Sequence, residues 1–215
     1  MIRNSIQVKK TATYYQNTTD LKDIEKVWIC LHGYGQLAKF FANRFVELDS
    51  KRHLVVVPEG LSRFYLQGFS GRVGATWMTK EDREADIQDY IKYLDDLLVQ
   101  LKSALNGKVV EWVVLGFSQG AATACRWVNA GKVNPNHLVL WAGIFPPDLS
   151  PGGKITNQEL KTWYLIGDED PFKSEAKEAE FERIKNELGI IPTHIDFKGA
   201  HRIYPKPLLD LAERL

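Results

Sequence analysis

A serine flanked by glycines, three downstream histidines and a cluster of acids stand out as groups able to make and break covalent bonds. Ser118 sits in Gly116-Phe117-Ser118-Gln119-Gly120, between the apolar run Val109–Leu115 and the small-residue segment AATACRWV. A G-x-S-x-G pattern at a strand-to-helix turn strains the serine backbone and lifts its hydroxyl above the sheet. It also puts that hydroxyl at a helix N-terminus, where backbone N–H groups favour developing negative charge. The glycines are required because a Cβ there would collide with the neighbouring strand or helix. Chance produces the pattern in about one chain in twenty of this length, so the flanking strand and helix carry the assignment. The chemistry indicated is nucleophilic attack by serine.

A serine hydroxyl is a poor nucleophile at neutral pH and needs a base, and the base needs a carboxylate to hold its tautomer. The motif's usual chain order is serine, then acid, then histidine. His137 opens a strand ahead of the nearer acids, and His194 starts the last strand at its amino end. Parallel sheets carry their chemistry at the carboxyl ends of the strands. His201, in KGAHRIYP just beyond that strand, is therefore the expected base. The acid lies in GDEDPF, where Asp168, Glu169 and Asp170 crowd together. Pro171 favours an extended Asp170, whereas Asp168 suits a loop-bonding role. Asp170 is preferred, Asp168 is the alternative and Asp148 a distant third.

A second glycine loop offers a rival chemistry. Gly33-Tyr34-Gly35-Gln36-Leu37-Ala38 satisfies G-x-G-x-x-A after a strand, and Glu59 ends the next strand where a dinucleotide site places its ribose-binding acid. A Rossmann-type oxidoreductase would share the alternating pattern, but it leaves Ser118, Asp170 and His201 without a task. No metal-ligand spacing joins the histidines and cysteines, and no cofactor is called for. Gly68, Gly71 and Gly74 lack the Gly-Lys-Ser/Thr of a phosphate loop and are read as a flap over the site.

The elements that must position these residues follow from the periodicity. Apolar runs at Lys26–Leu31, His53–Val57, Val109–Leu115, His137–Trp141, Thr162–Ile166 and Thr193–Phe197 read as strands covered on both faces. Helices are expected over Lys80–Leu105, Gln119–Ala130 and Ser174–Leu188. The first carries Tyr90, Leu94, Leu97, Leu101 and Leu105 on one face, with Thr79 and Asp82 as a capping box. Ser5–Tyr15 alternates and reads as an antiparallel edge strand or hairpin. The whole is one α/β domain over 1–215, with a mostly parallel sheet, helices on both faces and no large lid.

Composition narrows the partners. Apolar residues make up 44%, charged residues 26%, and the net charge is +1, so no strong field favours nucleic acid or an anionic membrane. No apolar stretch is long enough to span a bilayer, and the amino-terminal segment lacks a secretory signal's apolar core; a cytoplasmic location is expected. Cys30 and Cys125 read as buried free thiols.

In LHGYG at 31–35, GFSQG at 116–120, GDEDP at 167–171 and GAH at 199–201, the chain resembles the phospholipase/carboxylesterase branch of the α/β-hydrolases. That branch includes acyl-protein thioesterases and small carboxylesterases. The resemblance covers the chain from about Val27 onward. It implies a triad of Ser118, Asp170 and His201 and an oxyanion hole from the Tyr34 and Gln119 backbone N–H groups; with no large lid insertion in the sequence, a small-molecule ester or thioester of short-to-medium acyl length is the expected substrate. Two departures leave the substrate open. The chain continues QLAKFF where the family commonly carries an acid, and its tryptophan segment reads GFSGRVGATWMTKED. Trp77 and Phe172 are the candidates for lining an acyl pocket, with ordinary packing the alternative.

Overall fold

A computed structural model describes residues 1–215. Its elements in chain order begin with strands β1 (Tyr14–Gln16) and β2 (Lys26–Leu31), then the short helix α1 (Ala38–Phe41), which continues as a 3₁₀ turn over Ala42–Phe45. Strands β3 (His53–Pro58), β4 (Ser62–Tyr65) and β5 (Val73–Thr76) precede the long helix α2 (Arg83–Leu105). The second half runs β6 (Glu111–Phe117), α3 (Gln119–Ala130), β7 (His137–Trp141), β8 (Lys161–Gly167), α4 (Glu175–Leu188), β9 (Thr193–Phe197) and α5 (Pro205–Arg214).

Seven strands form one sheet in the order β1-β3-β2-β6-β7-β8-β9, while β4 and β5 make a separate hairpin. Only β1 runs antiparallel, against β3; the other pairs in the sheet are parallel. Side chains alternate through the sheet into two cores. Val27, Ile29 and Leu31 of β2 join the apolar faces of α2, α3 and α4. Trp28 and Cys30 point the other way, towards α1, its 3₁₀ extension and α5. Burial on both faces is why these strands read as continuous apolar runs rather than alternating ones. Each fully buried leucine or valine contributes about 1.5–3 kcal/mol, so the central strands hold the site on a rigid base. The two cysteines are buried free thiols, one in each core. No helix is long and apolar enough to cross a membrane.

The expected strands and three helices are present, with β6 displaced by two residues from the apolar run that announced it. The amino-terminal expectation needs correction, because the edge strand is only Tyr14–Gln16 and residues 5–13 form no ladder. β3 ends at Pro58, which has no N–H to offer; after one more bond, from Glu59 N–H to Thr13 O (3.0 Å), pairing stops. The capping box at Thr79 and Asp82 also does not form. Asp82 adopts φ 52° without a side-chain cap, and it is Asp86 that reaches back to accept the Thr79 N–H (3.1 Å). The glycines at 68 and 71 lie in the turn of the β4–β5 hairpin, an element the periodicity does not announce.

At the sheet edge opposite the strands' carboxyl ends, two histidines serve as acceptors for buried tryptophans. Trp28 Nε1–H donates to His53 Nδ1 (3.0 Å) and Trp163 Nε1–H donates to His137 Nδ1 (3.2 Å). Burial is the main cause that lowers both imidazole pKa values, with Lys26 and Arg52 adding to it at His53. The unfolded chain therefore binds more protons than the folded one as pH drops. The stabilisation from these pairs is complete above the unfolded value near 6.5 and is lost as pH falls below it. Thermal unfolding followed by circular dichroism should show Tm declining between pH 7 and pH 5.5, by roughly 2–4 °C per kcal/mol lost. The decline should be shallower in a His53→Gln/His137→Gln variant; an equal slope would contradict this role.

Candidate active site

Ser118 occupies the sharp bend between β6 and α3 at φ 54°, ψ −116°, a backbone region that a residue with a Cβ rarely adopts. The bend is held by close packing of main chain. A Cβ on Gly116 would lie 2.2 Å from Gly120 O, and one on Gly120 would lie 2.2 Å from Leu31 O. No other residue fits at either place. The Ser118 N–H is tied to Trp141 O of β7 (2.9 Å) and the Ala121 N–H to Ser118 O (3.0 Å). Gln119 opens α3, where an N–H has no intrahelical acceptor.

The loop after β2 lies against this bend, and its amides are nearly all committed. Gly33 N–H donates to Gln36 Oε1 (2.9 Å), Gly35 N–H to Ala75 O (2.9 Å) and Gln36 N–H to Gly33 O (3.2 Å). The Tyr34 N–H alone of the four makes no hydrogen bond within the protein. The β4–β5 hairpin braces the loop, since Ala75 N–H also donates to Gln36 O (3.0 Å). Gly74 comes so close that a Cβ there would sit 2.4 Å from Gly35 O. The Gln119 side chain completes the frame, with Nε2 donating to Met78 O (3.0 Å) and Oε1 accepting the Trp77 N–H (3.2 Å). Beneath the loop, His32 is fully buried. Its Nδ1 lies 2.8 Å from Gly33 O and its Nε2 accepts the Gly60 N–H (2.9 Å). Burial lowers its pKa, against smaller opposing effects of Gly33 O and Glu59, so it acts as a neutral strut.

The segments that carry Asp170 and His201 are zipped together. Asp168 N–H donates to Phe197 O (3.0 Å) and Glu169 N–H to Gly199 O (3.0 Å). Asp168 Oδ1 accepts the Gly199 N–H (2.9 Å). Asp170, almost wholly buried, places Oδ2 2.7 Å from His201 Nδ1, while its Oδ1 accepts the Phe172 N–H (2.9 Å). Asp148 lies elsewhere. Its carboxylate grips Arg126 through two bonds (2.7 and 2.8 Å) and also meets Arg83 (3.0 Å), and the Arg126 bonds are the main cause that lowers its pKa. The His201 ring is held between Phe117 and Phe172, at centroid distances of 4.8 and 4.6 Å.

Ser118, Asp170, Phe172, His201 and the Tyr34 loop line one cavity of ≈ 520 Å³ at the carboxyl ends of the strands. No hydrogen bond joins Ser118 to His201 here, and such contacts commonly tighten only when substrate docks. Trp77 needs correction as a pocket residue. It is buried, does not line the cavity, and donates its Nε1–H to His32 O (2.9 Å). The dinucleotide alternative loses its ribose ligand, because Glu59 is buried and committed to Arg63 (2.6 Å) and to the Ala38 N–H (3.1 Å). Its helix, α1, is also only four residues long. The bracing roles of Gln36, Gly74 and the Gln119 side chain were not anticipated, although a glutamine three residues beyond Gly33 is within local reach of its amide.

A parallel sheet with helices on both faces, a strained serine after the central β6 and an Asp–His pair from the last two strands define an α/β-hydrolase. Residues 23–207 match the model of the Serine hydrolase (FSH1) family, and the chain belongs to that family. Among solved structures it is similar to a carboxylesterase from Mesorhizobium loti, at 13% identity, with 94% of this chain and 93% of that one covered and a TM-score of 0.71. It is also similar to acyl-protein thioesterase 2 of Zea mays, at 16% identity, 95% and 97% coverage and a TM-score of 0.67. The Bacillus cereus carboxylesterase matches at 16% identity, 94% and 92% coverage and the same TM-score of 0.67. At such identities the likeness is one of fold, and it agrees with the phospholipase/carboxylesterase resemblance carried by the motifs. No curated protein sequence matches the chain.

Gly74→Ala should push the Gly35 carbonyl and the Tyr34 amide out of place. Displacements of about 1 Å at such a site can cost a hundredfold in rate. Turnover of a small aryl ester should fall about a hundredfold in kcat while far-ultraviolet circular dichroism stays unchanged. Wild-type kcat in the folded variant would show that the hairpin does not position the loop.

Proposed function

We propose that the protein is an esterase that cleaves carboxylic esters or thioesters of short-to-medium acyl length through an acyl-enzyme on Ser118. The observation that carries this reading is the 2.7 Å Asp170–His201 pair, set over the same cavity as a serine held at φ 54°. With Nδ1 donating to the carboxylate, His201 presents Nε2 as a base. It takes the Ser118 proton as Oγ attacks the carbonyl carbon, and Asp170 stabilises the imidazolium that forms. The oxyanion is received by the Tyr34 and Gln119 amides, whose positions cost no reorganisation during the reaction.

Collapse of the tetrahedral intermediate breaks the bond to the alcohol or thiol, which leaves with the proton from His201. Water then attacks the acyl-Ser118 ester, gives its proton to the same Nε2, and releases the carboxylic acid with Ser118 restored. The acyl group lies in the cavity against Ala142, Ile144, Ile166 and Phe172. A cavity of ≈ 520 Å³ suits a small-molecule substrate.

Ser118→Ala should lower kcat on an aryl ester by about a millionfold, and Asp170→Asn by about ten-thousandfold. Intact-mass spectrometry of the wild type, quenched during turnover, should find one acyl group on Ser118. A Ser118→Ala variant retaining a tenth of the activity would contradict the assignment, as would an acyl group on another residue.

A further inference from the structure

The cavity has a polar end that acyl transfer leaves without a task. There Tyr164, Lys173, Ser174, Lys177 and Glu178 line the same space as Ser118 and His201. Tyr164 is only 7% exposed, its ring stacked on Phe181 at 4.2 Å, and its hydroxyl has no hydrogen-bond partner in the protein. Burial, with smaller contributions from Glu178, Asp170 and Asp196, pushes its pKa up to about 12, so it is an O–H donor at neutral pH. An O–H donor that lines the cavity and has no partner in the protein is free to bond what fills that space.

Charge at this end is uneven. Lys173 pairs with Glu178 at 3.5 Å, and Asp170 already faces His201. Lys177 forms no ion pair. Its ammonium lies 5.1 Å from the Phe172 ring centroid, and the same ring packs against His201 at 4.6 Å. A single aromatic ring thus separates an uncompensated cation from the base. The end of the site offers one free positive charge and one free O–H donor, which together match a carboxylate.

Resting on the esterase reading above, we propose that the ester substrate carries a carboxylate a few bonds from the scissile carbonyl, held between the Lys177 ammonium and the Tyr164 hydroxyl. The substrate class is the half-ester of a short dicarboxylic acid. Its acyl carbon passes to Ser118 and then to water, while the distal carboxylate takes no part in bond making or breaking. Lys177 and Tyr164 determine specificity.

The test compares two p-nitrophenyl esters of equal chain length on the full chain, the pentanoate and the half-ester of glutaric acid. The half-ester should have a kcat/KM about tenfold higher, expressed in KM, and the advantage should shrink at about 0.5 M salt. Lys177→Gln and Tyr164→Phe should each reduce the ratio several-fold, whereas Lys177→Arg should keep it. Equal rates on the two esters, or a ratio unchanged in Lys177→Gln, would overturn the inference while the esterase reading stands. Failure to turn over either ester, with no acyl group found on Ser118, would overturn both.

Discussion

The structure depends on main chain touching main chain around Ser118. β6 and α3 meet with no room for a side chain at Gly116 or Gly120, and α3 rests directly on the carbonyl of Leu31. That contact holds Ser118 in a conformation it would not adopt in a free peptide. Such strain costs of order 1–3 kcal/mol and persists only where the surroundings over-determine it. Here the Trp141 carbonyl, the helix start and the buried strands on either side all do so. The small residues of α3 follow from the same constraint, since only alanines and glycine allow the helix to lie this close.

Around that fixed point, the other groups arrive from the carboxyl ends of their strands and are locked by bonds to one another. The Tyr34 amide is left free because Gln36, the β4–β5 hairpin and His32 take up its neighbours. The Asp170–His201 pair is aimed by a short ladder between the 168–170 turn and residues 197–199. The Asp168 carboxylate closes that ladder and is spent on the Gly199 amide. Two aspartates of one turn thus have different work: Asp168 holds the loop and Asp170 meets the histidine.

What the sequence reveals follows from which interactions are local. The parallel strands are legible because burial on both faces leaves unbroken apolar runs, and α2 because its leucines recur every three or four residues. The β4–β5 hairpin was missed because SRFYLQGFSGRVGAT mixes glycines with exposed aromatics, and its pairing is decided by the loop it braces. α1 and α5 are short or begin with proline, so periodicity gives them little weight. Ahead of Tyr14, the amino-terminal alternation has no partner strand to meet. At the site, Ser118 and His201 are legible from motif and strand polarity. Asp170 is separated from Asp168 by Pro171, by the loop-bonding habit of aspartate and by the GDEDP resemblance, and the inward turn of Trp77 towards His32 depends on tertiary contacts that no local pattern records.

In the proposed reaction the oxyanion formed when Ser118 attacks is directed at the Tyr34 and Gln119 amides. A crystal structure of the chain after reaction with a small fluorophosphonate tests it most directly. Phosphorus should be bonded to Ser118 Oγ, with a phosphonyl oxygen about 2.7–3.1 Å from both amide nitrogens. A phosphonyl oxygen turned to solvent, or an adduct on any other side chain, would contradict it.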